Sequence, residues 1–112
     1  MLLAFVSTVA SAQSERAAQG GPERLAVNTV AHLFEGIQLT SEQHRRAVAI
    51  VQEAQTEQRK LLPLMTRAAW DRIVALQIAR DSSLKALLTS DAQRTKFEKR
   101  AAEMMPKPPP LP

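Results

Sequence analysis

The chain contains no cysteine and no tyrosine, and it has one tryptophan and three phenylalanines among its 112 residues. The absence of cysteine excludes a disulfide framework, a cysteine-ligated metal site and thiol catalysis. The hydrophobic fraction of 45% therefore rests on aliphatic side chains and alanine. Small aliphatic side chains suit helices better than they suit aromatic-rich β-sandwiches. Length and composition together predict one all-α domain.

Glycine is also scarce, with three residues in the chain. Neither the phosphate-binding pattern G-x-x-x-x-G-K-[ST] nor the dinucleotide pattern G-x-G-x-x-G occurs, so nothing supports nucleotide binding. Ser41 lies near His44 in the sequence, but no orienting acid or glycine-built oxyanion turn accompanies the pair. We therefore expect a protein that is not an enzyme and that binds no cofactor.

The charge balance is mildly basic, with 15 Lys and Arg against 11 Asp and Glu, a formal charge of +4. The basic residues are scattered, and no run of five of them occurs. Such a balance favours contact with acidic partners, but it is weak for nucleic-acid binding, which we do not expect.

Both ends of the sequence differ from its middle. Residues 1–12 (MLLAFVSTVASA) are uncharged and end in a small-x-small pattern, which predicts a cleaved export signal too short to span a membrane. Residues 13–21 are polar, end in two glycines and indicate a flexible linker. Residues 105–112 are rich in proline and predict an extended tail. The domain itself is expected over residues 22–104, in the periplasm.

Helix punctuation divides this domain into four segments. The first begins at Pro22 and stops at Gly36. The second begins at Thr40, whose hydroxyl can form a capping box with Gln43. Pro63 predicts a short turn after that helix, with a kinked continuous helix as the alternative. The third and fourth helices are expected from about residue 66 to 88 and from residue 89 or 90 to before residue 106.

The third segment carries apolar residues on two faces. A core face is expected at Ala69, Ile73, Leu76, Leu84 and Leu87. A second face about 100° away carries Trp70, Val74 and Ile78, with Arg67 and Lys85 at its ends. These five residues, here called the α3 strip, could be core, a dimer seam or a surface for client proteins. Arg80 falls in the core stripe, where we expect it either to extend its charged end to solvent or to pair with an acid, for example one on another helix.

Two similar helix starts, Leu39-Thr40-Ser41-Glu42-Gln43 and Leu88-Thr89-Ser90-Asp91-Ala92-Gln93, precede the second and fourth helices. With the expected export signal, they resemble the LTXXQ motif family of Spy and CpxP. The first copy matches L-T-x-x-Q directly. The second has one extra residue before Gln93, so it matches if Ser90 replaces the threonine, and Arg94-Thr95-Lys96-Phe97-Glu98 resembles the family's continuation.

This resemblance implies an elongated, curved helical hairpin that pairs into an antiparallel homodimer. Family members act in the periplasm as ATP-independent chaperones or restrain envelope-stress sensors, and some relatives sense metals. The function expected from the resemblance is therefore chaperone-like binding of unfolded or partly folded envelope proteins.

Three alternatives stay open at this stage. One is a regulatory module that docks on a sensor's periplasmic domain. Another is a metal-responsive protein, although His32, Glu35 and His44 are only weak candidate ligands because a metal site needs three or four convergent donors. The last is a membrane-surface binder that uses the basic α3 strip.

Overall fold

The computed structural model describes residues 21–108 and 110, and this part of the chain is all-helical, as the sequence predicts. The elements are α1 (Pro22–Leu33), α2 (Ser41–Leu61), a 3-10 turn (Leu62–Leu64), α3 (Arg67–Lys85) and α4 (Asp91–Glu103). The expected export signal, most of the linker and the end of the tail lie outside the described residues. Each helix in the described range is too short or too polar to span a bilayer.

Hydroxyl side chains fix three of the four helix starts. The hydroxyls of Thr40, Thr66 and Ser90 each accept a hydrogen bond from the amide N–H three residues later. Each bond satisfies one of the four N–H groups that a helix start leaves without an intrahelical partner. The fourth start, at Pro22, needs one such partner fewer because proline has no N–H.

All four helices contribute to one buried cluster near the connections before α2 and α4. The rings of Phe34 and Phe97 pack with centroids 5.0 Å apart. The other members are aliphatic: Ala26, Val30, Leu33, Ala47, Val51, Leu84, Leu88 and Ala101. Helix α1 packs on α2, α2 packs on α3, and α4 contacts both α1 and α3.

Beyond this cluster, α2 and α3 continue as a pair that we call the arm, residues 52–83. The amide nitrogen of Gln58 donates to the carbonyl oxygen of Ile73 (3.0 Å), whereas that of Gln43 donates to Leu87 (2.8 Å). An earlier residue on one helix therefore meets a later residue on the other, so the pair runs antiparallel. The chain turns at Pro63, and the kinked continuous helix does not occur.

The shape of the described part is long and thin, with extents of 60 × 34 × 16 Å. Because packed helix axes lie about 8–10 Å apart, the smallest dimension leaves room for no more than two layers of helices. A body this thin hides few side chains from solvent, so apolar residues of the arm remain partly exposed.

The core face predicted for α3 is wrong in part. Ala69, Ile73 and Leu84 are buried as expected, and Leu87 is half-buried but packs against the core cluster. Leu76 is only half-buried. Gln77, which lies between Ile73 and Leu84 along α3, is buried instead, with 6% of its surface exposed. It is accommodated because its amide oxygen accepts from Gln58 (3.3 Å) and its amide nitrogen donates to the carbonyl of Met104 (3.5 Å).

Arg80 is buried in the core stripe, but its partner is not on another helix. Its Nε donates to Oδ1 of Asp81 (2.9 Å), the next residue of α3, and its Nη2 lies 2.8 Å from the same oxygen. Neighbouring residues rarely face each other on a helix. Here the long arginine side chain bends back, because no acid of α2 lies within ion-pair distance of it.

We predict that Phe97→Ala lowers the free energy of unfolding by about 3–5 kcal/mol, because the ring is 1% exposed and its loss leaves a cavity. The control Ile78→Ala removes a side chain that is 55% exposed and should cost less than about 1 kcal/mol. Urea denaturation followed by circular dichroism measures both. Equal losses for the two variants would contradict the placement of the core.

Candidate functional site

The first motif copy forms a complete capping box. The amide N–H of Gln43 donates to the Thr40 hydroxyl (3.1 Å), and the Thr40 N–H donates to the Gln43 side-chain oxygen (2.8 Å). Leu39, which precedes the cap, is partly buried against the core cluster. The motif therefore fixes where α2 begins and packs its entry onto the core.

The second motif copy is capped by Ser90, and its box is incomplete. The Ser90 hydroxyl accepts from the N–H of Gln93 (3.2 Å). The side-chain oxygen of Gln93 accepts from the N–H of Thr89 (3.4 Å), one residue before the cap, so the reciprocal bond of a capping box does not form at Ser90. The extra residue in this copy moves Thr89 out of the cap position. Leu88 remains buried in the core.

The two motif copies meet through one side chain. The amide nitrogen of Gln43 donates to the carbonyl oxygen of Leu87 (2.8 Å), directly before the second copy. The amide of Gln43 therefore uses its oxygen for the start of α2 and its nitrogen for the end of α3. In contrast, the amide nitrogen of Gln93 donates to no atom of the described residues.

The α3 strip extends from one end of α3 to the other. Trp70 and Val74 are half-buried, and Ile78 is exposed. The Arg67 side chain is 77% exposed at the first residue of the helix, 3.9 Å from Asp71. Lys85, the last residue of α3, makes a 3.0 Å ion pair with Glu98 of α4. The structure thus places the five residues along one helix but separates them into two local environments.

The first environment is an apolar groove between α3 and α4, with a volume of about 330 Å³. Its apolar lining comes from Ile78 of α3, Phe97 and Ala101 of α4, and Met105 beyond α4. Ile78 is 55% exposed and Met105 is 43% exposed. The Lys85 to Glu98 ion pair is part of the lining. Such a groove can accept an apolar side chain from another chain and leave charged groups at its rim.

The second environment is the turn between α2 and α3, which the sequence interpretation missed as a surface. Leu62, Leu64 and Met65 are 51%, 58% and 46% exposed, and Pro63 between them is exposed as well. Trp70 lies beside this turn and shares a small crevice with Leu62 and Met65. The signal was available in the four consecutive apolar residues from 62 to 65, since such a run is unusual in an exposed turn.

No metal centre is assembled from the weak candidate ligands. His32, Glu35 and His44 are exposed, and Glu35 lies 3.5 Å from Arg100 of α4. Across residues 21–108 and 110, no group of three or more His, Asp and Glu side chains is placed to hold a metal ion. The observations give no positive support to the metal-responsive alternative.

Comparison with known proteins finds no matching family model, no matching curated protein and no matching solved structure.

We predict that Gln43→Glu destabilises the fold relative to Gln93→Glu by about 1–2 kcal/mol. Both changes place a carboxylate in the first turn of a helix, so the gain from the helix dipole is shared. Only Gln43→Glu removes the amide nitrogen that donates to Leu87, and it places a carboxylate oxygen next to the carbonyl oxygen of Leu87. Urea denaturation of the two variants measures the difference, and equal midpoints would contradict the role assigned to the Gln43 amide.

Proposed function

We propose that this chain is a periplasmic, ATP-independent chaperone-like protein that binds unfolded or partly folded envelope proteins. The observation that carries the proposal is the apolar groove between α3 and α4, which exposes Ile78 and Met105 to solvent. Unfolded chains expose apolar side chains, and burial of apolar area is the general force that would hold them there.

The groove favours weak rather than tight binding. Its volume of about 330 Å³ is at the lower end of the range of ligand pockets. The groove opens onto solvent-exposed helix surface, so a bound client segment buries little apolar area there. Such a segment dissociates readily. The formal charge of +4 adds a long-range attraction for acidic segments, which speeds encounter more than it strengthens the complex.

The periplasmic location rests on the apolar, uncharged residues 1–12 and their small-x-small ending. The antiparallel homodimer and the curved hairpin rest on the resemblance of the two helix starts to the LTXXQ family. Light scattering of the protein tests the dimer, since a mass equal to one chain would remove it from the proposal.

We predict that the protein suppresses the aggregation of insulin reduced with dithiothreitol at near-stoichiometric amounts, with no effect of added ATP. The reductant does not alter the protein, because the chain has no cysteine. Ile78→Ser with Met105→Ser should lose most of this activity, because both changes make the groove polar. Light scattering by the aggregated insulin measures this activity.

Leu25→Ser is the matched control, because Leu25 is 48% exposed on α1 and does not line the groove. It should retain the activity. High salt should slow capture, because it screens the attraction between the basic chain and acidic segments. A protein that leaves insulin aggregation unchanged would overturn the proposal, and specific binding to a folded sensor domain would then favour the regulatory alternative.

A further inference from the structure

The turn between α2 and α3 carries an exposed apolar surface that the proposed function does not use. Leu62, Pro63, Leu64 and Met65 form four consecutive exposed apolar residues, and we call them the tip. The 3-10 part of the tip contacts only α2 and α3 among the described elements. A turn of this kind is normally polar, since exposed apolar residues gain nothing from folding.

The backbone conformation at Met65 is energetically unfavourable for a residue with a side chain. Met65 has a φ of 51° and occupies the left-handed region, where glycine or asparagine is usual after a helix. A side chain there costs about 1 kcal/mol relative to glycine. Met65 is also 46% exposed, so burial within this chain returns only part of that cost. The sequence keeps an apolar side chain where the fold alone favours glycine.

Three basic residues flank the tip in the sequence. Arg59 and Lys60 lie in the last turn of α2, and Arg67 is the first residue of α3. Lys60 makes an exposed 3.1 Å ion pair with Glu57, which is weak because both side chains are in water. Residues 57–72 contain four basic side chains and two acidic ones. Arg59 and Lys60 also suit the negative end of their own helix dipole, so they have a local explanation.

Arg67 has no such explanation. It lies at the positive end of the α3 dipole, and the first turn of α3 contains no acidic residue. Its nearest acid, Asp71, is 3.9 Å away, and both side chains are at least 70% exposed, so the pair is weak. Arg67 therefore gains nothing from its own helix dipole, and its exposed guanidinium is available for a contact outside the chain.

From this arrangement we propose that the tip docks on the surface of an anionic phospholipid bilayer. The leucines and Met65 enter the boundary between headgroups and acyl chains, and Arg59, Lys60 and Arg67 contact lipid phosphates. Charge complementarity selects an anionic lipid, because a neutral surface offers no partner for Arg59, Lys60 and Arg67.

Trp70 provides a local reporter, because it is the single tryptophan of the chain and shares a crevice with Leu62 and Met65. The full chain is mixed with vesicles of phosphatidylcholine alone or of phosphatidylcholine with phosphatidylglycerol, each containing brominated acyl chains. We expect quenching of Trp70 fluorescence with the anionic vesicles only, and we expect high salt to reverse it. This local signal separates docking of the tip from any binding by the apolar residues 2–6.

The apolar contribution is tested by Leu62→Ser with Leu64→Ser. This double variant should need a roughly tenfold higher lipid concentration for half-maximal quenching. The control is Leu25→Ser, which removes a leucine of similar exposure on α1 (48%), outside both the tip and the groove, and should leave quenching unchanged. Circular dichroism verifies that both variants keep their helical content.

The basic contribution is tested by Arg59→Gln with Lys60→Gln, which should weaken quenching roughly 10- to 30-fold. Arg45→Gln with Arg46→Gln removes the same charge from the opposite end of α2, where both residues pair with Glu42. This control should bind as the parent chain does.

Several results would overturn the proposal. One is no quenching of Trp70 fluorescence by anionic vesicles, or equal quenching by neutral and anionic vesicles. Another is an equal loss in the controls and the tip variants. If Leu62→Ser with Leu64→Ser lowers only the suppression of insulin aggregation, the tip is a client surface. If that variant lowers only the solution mass, the tip is a contact between two copies of this chain.

Discussion

The structure depends on one buried cluster to which all four helices contribute, with the rings of Phe34 and Phe97 in contact within it. Two capped helix starts lie beside this cluster, and Gln43 joins them through its bonds to Thr40 and to the carbonyl of Leu87. Everything else extends from this end of the molecule. The arm continues the α2–α3 pair past the cluster. Helix α4 covers it only in part, where the amide nitrogen of Gln77 donates to the carbonyl of Met104, so its other surfaces are incompletely covered.

Helical periodicity and helix-start chemistry allow most of the fold to be predicted from the sequence. These signals are local, because a helix cap joins residues only three apart in the sequence and helical periodicity spans a few turns. Thr40, Thr66 and Ser90 all cap helices, and Pro63 ends one. The all-helical class follows from the same local rules.

The errors concern long-range contacts. Apolar character identifies Leu76 as core, yet the buried position belongs to Gln77, whose amide meets Gln58 and the carbonyl of Met104. Periodicity cannot show this, because the partners lie 19 and 27 residues away in the sequence. The pairing of Arg80 with Asp81 is likewise a matter of side-chain conformation. The candidate surfaces are predictable in part. Periodicity identifies the α3 strip as one helix face. It does not show that Ile78 borders the groove while Trp70 lies beside the tip, because that depends on where α4 and the turn lie.

The composition of the arm has a consequence for its dynamics. Its interior is built from Ala54, Ala69, Ile73 and the polar Gln77 and Arg80, so few large aliphatic contacts join α2 to α3 there. Local unfolding of the arm breaks mainly the side-chain amide hydrogen bonds of Gln58 and Gln77. Unfolding around Phe97 instead exposes the Phe34–Phe97 pair and most of the aliphatic core. Amide protons of the arm should therefore exchange with solvent through local fluctuations, while those near Phe97 exchange only on global unfolding.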